Sequence, residues 1–140
     1  MKKILIAIDD GPTAEKVAAA GLDFGKHLHA ELALLSVVNS AALMTDGAVT
    51  PQELSEVMIN DFRKNHLLLI DKVFKANKIF TFVEVGKLPE TIIKVASEWD
   101  ADVIVIGTHG RTGMSHLVLG SVAEKVIRHS AKPVLVIPTK

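Results

Sequence analysis

Five short apolar runs rich in β-branched residues are spaced along the chain, and each of the first four leads into a longer segment with helical spacing. This alternation predicts a βαβα order. Strands are expected at Lys3–Ile8, Leu32–Val38, Ile79–Val85, Asp102–Gly107 and Pro133–Ile137. The run Val103-Ile104-Val105-Ile106 has no polar alternation, the mark of a strand covered on both faces, which is common only in a parallel sheet between helix layers. The expected fold is therefore α/β: an open, doubly wound, five-stranded parallel sheet with helices on both faces, Rossmann-like, joined by four right-handed crossovers.

The intervening helices are marked by caps and stripes. The first follows Gly11-Pro12-Thr13, where proline suits a first-turn position, and carries Val17, Ala20, Phe24 and Leu28 on one face. The second opens with Thr50-Pro51-Gln52-Glu53, a capping box, and its stripe runs Leu54, Met58, Phe62, Leu69 and Val73. The third starts near Leu88-Pro89-Glu90 and is expected to bury Ile92, Ile93 and Ala96, with Trp99 packing behind it. The fourth starts at Ser121-Val122-Ala123-Glu124, a second capping-box pattern that makes Ser121 the expected cap, and presents Val122, Val126 and Ile127. Sheets of this class take ligands beyond the carboxyl ends of their strands, where the strand order reverses. The loop from Asn39 to Val49 belongs to that end of the sheet.

Composition narrows the function. With 140 residues, 49% hydrophobic and 23% charged, the chain is expected to fold as one domain over residues 1–140. Lysine plus arginine equal aspartate plus glutamate at 16 each, so no net field draws the protein to nucleic acid or anionic lipid. A pI near 7.0 eases self-association. The absence of cysteine excludes disulfides, thiolate metal sites and cysteine nucleophiles. The apolar start is interrupted by Asp9 and Asp10, too early for a signal peptide, and no apolar stretch approaches the ~20 residues needed to span a bilayer. A cytoplasmic protein without membrane attachment is expected.

One segment carries the chemistry. The fourth strand runs into Gly107-Thr108-His109-Gly110-Arg111-Thr112-Gly113-Met114-Ser115-His116-Leu117-Val118-Leu119-Gly120-Ser121, directly before the last helix. A phosphate needs donors that approach without a Cβ in the way, and Gly107, Gly110, Gly113 and Gly120 expose main-chain N–H groups. The helix N-terminus adds unpaired amides and a positive dipole end. Gly120 and Ser121 are thus expected to meet phosphate, and Gly120→Val to block it with the fold intact. No lysine precedes Ser121, so this is not a Walker loop. The first strand leads into Asp9-Asp10-Gly11-Pro12, which is no dinucleotide fingerprint.

The spacing Gly107, two residues, Gly110, nine residues, Gly120-Ser121, with the flanking Val-Ala-Glu-Lys-Val-Ile-Arg-His-Ser-Ala-Lys-Pro-Val-Leu-Val, resembles the ATP-binding members of the universal stress protein family over almost the whole chain. The resemblance implies an adenine nucleotide alpha hydrolase-like variant of the fold, and ATP, or AMP or ADP, as ligand, with Mg²⁺ or Mn²⁺ held through the phosphates. It implies that Gly107, Thr108, His109 and Gly110 lie along ribose and phosphates and that Gly120, Ser121 and Val122 close on the phosphates. Arg111 is a candidate to neutralise phosphate and Gly113 a further loop contact. Ala7, Ile8 and Asp9 fall at the end of strand one, where the family's acidic residue lines the pocket, and Val37 matches the strand-two valine that meets adenine through its backbone. Asp10-Gly11 departs from the small hydroxyl residue many members carry there. Two adjacent acids would repel a triphosphate unless a divalent ion intervenes or one faces away.

The six histidines show no metal-ligand spacing and read as surface residues, with His109 of the loop as a contact or steric wall. The fifth strand, Val134 to Ile137 between Pro133 and Pro138, is an apolar edge, and the family resemblance implies a homodimer through it. The expected function is an ATP-binding, nucleotide-dependent stress-response or signalling module with an unknown protein partner. Two alternatives stand beside it. One is a slow ATPase or autophosphorylating enzyme with Thr112, Ser115 or Ser121 as acceptor, for which no nucleophile and base pair is apparent. The other is a dimeric chaperone that binds no nucleotide.

Overall fold

The computed structural model describes residues 2–44, 47–75, 77–109 and 119–139. The elements follow as β1 (Lys3–Ala7), α1 (Ala14–Leu28), β2 (Glu31–Asn39), α2 (Pro51–Leu69), β3 (Ile79–Gly86), α3 (Leu88–Glu98), β4 (Val103–Gly107), α4 (Ser121–His129) and β5 (Val134–Ile137). A 3-10 turn at Ser40–Leu43 follows β2, and a π-helical segment at Ile70–Phe74 extends α2. All strand pairs are parallel, in the order β3-β2-β1-β4-β5. The doubly wound sheet expected from the apolar runs is present, and every expected strand lies within two residues of its observed bounds.

Successive side chains of a strand point to opposite faces, so an unbroken apolar run must be covered twice. Ile4 and Ile6 of β1 pack with Val17, Ala18 and Leu22 of α1 and with Leu69 and Phe74 at the end of α2. Leu5 and Ala7 pack with Ile92, Val95 and Ala96 of α3 and Val126 of α4. Helices α1 and α2 therefore cover one face, and α3 and α4 the other. Trp99, just past α3, contacts the rings of Phe80 and Phe82, each at a centroid distance of 6.0 Å. Among the described residues no helix is long and apolar enough to cross a membrane.

Several local expectations are corrected. Pro12 lies ahead of α1, which starts at Ala14 with Thr13 as its N-cap. The buried face of α1 is Val17, Ala18, Gly21, Leu22 and Gly25, whereas Leu28 is exposed. Glycine explains the rotation. A Cβ on Gly21 would lie 2.6 Å from Ile6 Cδ1, and one on Gly25 would lie 2.5 Å from Leu32 Cδ2, so both positions admit the sheet where a larger residue would hold it off. In α3, Val95 is buried in place of Ile93. In α4 the buried residues are Ala123 and Val126, and Ile127 faces solvent.

The capping box of α2 forms as expected. Glu53 N–H donates to Thr50 Oγ1 at 3.1 Å, and Thr50 N–H donates to Glu53 Oε1 at 3.4 Å. The box expected at α4 does not form. Gly120 is the N-cap, no side chain among the described residues caps the helix, and Ser121 is its first residue. Glu124, the residue that would have closed the box, instead accepts from Arg128 at 2.7 Å. The cause is steric: a Cβ on Gly120 would lie 2.7 Å from the Thr108 carbonyl oxygen, so the cap position belongs to glycine and the serine shifts one residue into the helix.

Two histidines are not surface residues. His66 is 2% exposed and His109 is 6% exposed. His66 continues the α2 stripe Leu54, Met58, Phe62 at four-residue steps, and its polar ring left it out of a reading based on apolar residues alone.

Candidate functional site

The strand order turns back between β1 and β4, and the carboxyl ends of these strands and of β2 open onto a cavity of about 430 Å³. Its lining gathers most of the residues singled out from the sequence: Ala7, Ile8 and Asp9 from the end of β1, and Val37 from β2. Gly107, Thr108 and His109 come from β4 and the turn after it, and Gly120, Ser121 and Val122 from the start of α4. Gly110, Arg111 and Gly113 lie outside the described residues, as do Thr112, Ser115 and His116.

The lining also holds residues beyond the nucleotide contacts expected from the sequence. Asp10, Thr13, Ala14 and Val17 continue from β1 into α1. Leu35, Asn39 and Ala42 come from β2 and the 3-10 turn, and Leu88, Ile92, Ile106 and Ala123 from the α3 and α4 side. Met58 and Phe62 close the cavity from α2. The last two sit on the apolar stripe expected for α2, which marks them as apolar without marking them as cavity lining.

The end of β1 is tightly organised. Asp9 Oδ1 accepts the Gly11 N–H at 2.8 Å, an Asx turn that swings the chain away from β2. The Asp9 carbonyl accepts Asn65 Nδ2–H from α2 at 3.2 Å. Ile8 N–H still donates to the Leu35 carbonyl at 2.9 Å, but pairing of β1 with β2 ends at Ala7 and Leu35. Main-chain groups along a strand alternate sides. Since the Leu35 carbonyl faces β1, the N–H and C=O of Val37 face the same way, beyond the last rung.

At the other wall, Gly120 N–H donates to the Thr108 carbonyl at 2.8 Å. That amide is therefore engaged within the protein, against the expectation that Gly120 donates to phosphate. Among the described residues no side chain caps α4, so its first turn, Ser121 to Ala123, turns backbone amides and the positive end of the helix dipole to the cavity. Thr108 is held from the far side: its N–H donates to the Ile137 carbonyl at 2.9 Å and its Oγ1 accepts from Thr139 N–H at 3.1 Å. His109 Nδ1 lies 3.0 Å from Thr108 Oγ1, which fixes the imidazole against the cavity wall.

Beneath the β1 end, His66 Nε2 lies 2.8 Å from Ser36 Oγ, and Ser36 Oγ–H donates to the Ile8 carbonyl at 3.0 Å. Both side chains are buried. Burial, which penalises the charged imidazolium, pushes the His66 pKa down to about 4.

The cavity thus combines apolar walls, a main-chain edge at Val37, the first-turn amides of α4 and two carboxylates at Asp9 and Asp10. Such a site can enclose a flat apolar ring with a polar edge and receive an anionic group at the helix terminus. Among the described residues no three His, Asp or Glu side chains form a ligand set for a metal ion.

Known proteins agree with this architecture. The sequence model of the universal stress protein family matches residues 1–138. Universal stress protein MJ0531 of Methanocaldococcus jannaschii is 31% identical over 138 residues, covering 97% of this chain and 81% of that protein. The solved structure of protein MJ0577 from the same organism is 29% identical and covers 99% of this chain and 96% of its own, with a TM-score of 0.81. The universal stress protein from Archaeoglobus fulgidus solved in complex with dAMP shares the fold at 24% identity and a TM-score of 0.67, covering 98% of both chains. Sequence, topology and structural likeness agree that the chain belongs to the universal stress protein family.

Proposed function

We propose that this protein is a single-domain, cytoplasmic universal stress protein that binds ATP, or AMP or ADP, and acts as a nucleotide-dependent stress-response and signalling module. The observation that carries the reading is the pairing, across one cavity, of Val37's outward main-chain edge with the first turn of α4, which no side chain among the described residues caps. The first suits the hydrogen-bonding edge of adenine. The second suits a phosphate. Val37, Ala7 and Ile8 would flank the base, Thr108 and His109 the ribose, and the amides of Ser121 and Val122 the phosphates. The protein with dAMP shares this fold, which is consistent with an adenine nucleotide here.

The carboxylates of Asp9 and Asp10 oppose a bare triphosphate, so Mg²⁺ or Mn²⁺ would enter bound to the phosphates and relieve that repulsion. The four residues of β5 are half-buried on an edge of the sheet, and pairing of this strand with its copy would cover them in a homodimer.

The test is direct. The purified protein is heat-denatured and the supernatant run on an anion-exchange column, and the melting temperature is measured with and without ATP and Mg²⁺. ATP or AMP in the supernatant, or a melting temperature that rises with added nucleotide, supports the reading. Absence of both effects would remove the reading.

A further inference from the structure

The β1–β2 ladder ends with Ile8 N–H on the Leu35 carbonyl. After Ile8 N–H donates to the Leu35 carbonyl, the next rung of a parallel ladder would join Val37 N–H to the Ile8 carbonyl. That carbonyl is taken by Ser36 Oγ–H at 3.0 Å. The Ser36 hydroxyl has one proton, so with that proton on Ile8 the contact at 2.8 Å to His66 Nε2 requires the imidazole to donate. This fixes the Nε2–H tautomer. Nδ1 is then a bare acceptor, and among the described residues it has no hydrogen-bond partner, as a neutral ring buried for one donation would leave it. Asn65, the preceding residue of α2, holds the next carbonyl, that of Asp9, at 3.2 Å. Two consecutive α2 residues thus reach the carbonyls at which β1 leaves the sheet, Asn65 directly and His66 through Ser36.

We propose that His66 and Ser36 are positioning residues for base recognition: their relay occupies the Ile8 carbonyl and so keeps the Val37 amide open for the edge of a purine. The inference rests on the adenine-nucleotide reading above and adds what makes the Val37 edge available. The relay has a direction, from His66 to Ser36 to Ile8, and each member is needed. Without the serine hydroxyl, the Ile8 carbonyl is left to the Val37 amide, the donor that the next rung of a parallel ladder would bring to it, and the ladder closes across the position the base would take. Without the histidine donor, the serine proton is free to turn toward other acceptors.

Ser36→Ala, His66→Leu and the conservative His66→Gln, whose side-chain amide can still donate to Ser36, are compared with wild type in the full chain. Two measurements are made: the ratio of affinities for ATP and GTP, and hydrogen exchange of the Val37 amide by NMR without nucleotide. Ser36→Ala should lower the preference for ATP over GTP by about three- to tenfold, the loss of one hydrogen bond. It should also slow exchange at Val37 as the extra rung forms. His66→Leu should follow it, and His66→Gln should restore the wild-type ratio. A variant that merely loosens the fold would weaken both nucleotides alike and speed exchange at Val37, which would overturn the proposal. So would an unchanged ratio in Ser36→Ala. Absence of ATP binding by the wild type would instead remove the nucleotide reading, and slowed Val37 exchange in Ser36→Ala would still report the relay. Should His66→Leu fail to fold, Ser36→Ala decides alone, since it deletes a single oxygen.

Discussion

Acid should unfold this protein partly through one side chain, His66. Its imidazole is 2% exposed, and burial holds its pKa near 4 in the folded chain against 6.5 for a free histidine. The unfolded chain therefore takes up a proton between pH 6.5 and 4 that the folded chain refuses, so stability falls as pH falls through this window and is fully retained above it. At 1.36 kcal/mol for each pH unit, the span costs about 3 kcal/mol by pH 4, a sizeable part of the stability of an ordinary domain. Carboxylates titrate in the same range, so the wild type alone would not isolate the effect. His66→Gln removes the titrating group and leaves those carboxylates in place. Urea denaturation of both proteins at pH 7, 6, 5 and 4.5 should show the wild type losing stability faster, with the difference growing steadily below pH 6.5. Parallel curves would refute the argument, because they would mean that His66 takes a proton equally well in both states.

Three further outcomes follow from the packing. Gly120→Ala places a Cβ 2.7 Å from the Thr108 carbonyl at a backbone φ of −60°, which alanine accepts, so its cost is purely steric. A loss of about 1–3 kcal/mol is expected in the urea midpoint without nucleotide, and an unchanged midpoint would show that the Thr108 turn yields. Weak binding in a Gly120→Val protein therefore does not by itself report on phosphate, contrary to the expectation from the loop sequence. Phe74→Ala, at a fully buried ring in the π-helical segment, should cost about 3–5 kcal/mol in the same assay. Thr50→Ala removes a capping box on the surface and should cost about 1 kcal/mol, with Glu53→Gln keeping most of the wild-type stability.

What the sequence disclosed depended on whether the signal was local. The strands were legible because continuous β-branched runs have few other uses, and the α2 cap because Thr50 and Glu53 need only each other. The α1 face was misread because its contact surface is made of glycines, whose role depends on Ile6 and Leu32 across the gap. Ser121 was misread as a cap because nothing within the helix shows how closely Thr108 approaches Gly120. The rim residues of β4 and α4 could be named from the glycine spacing and those of β1 and β2 from the family resemblance that the spacing carries, whereas Met58 and Phe62 could not, since a stripe reveals what is apolar and not where the sheet ends. His66 was missed for a related reason: its partner Ser36 lies 30 residues away, and only the folded register brings them together.

The contact of α1 with the sheet through Gly21 and Gly25 bears on how the cavity can adapt. A helix seated backbone to sheet cannot move closer, and the turn it sends to the cavity, Ala14 and Val17, inherits that stiffness. Opposite it, α2 offers the long side chains of Met58 and Phe62, which are half-buried and so not packed on every side. One jaw of the site is fixed and the other compliant, so bulkier or slimmer guests should be accommodated by α2 while the α1 side keeps its place.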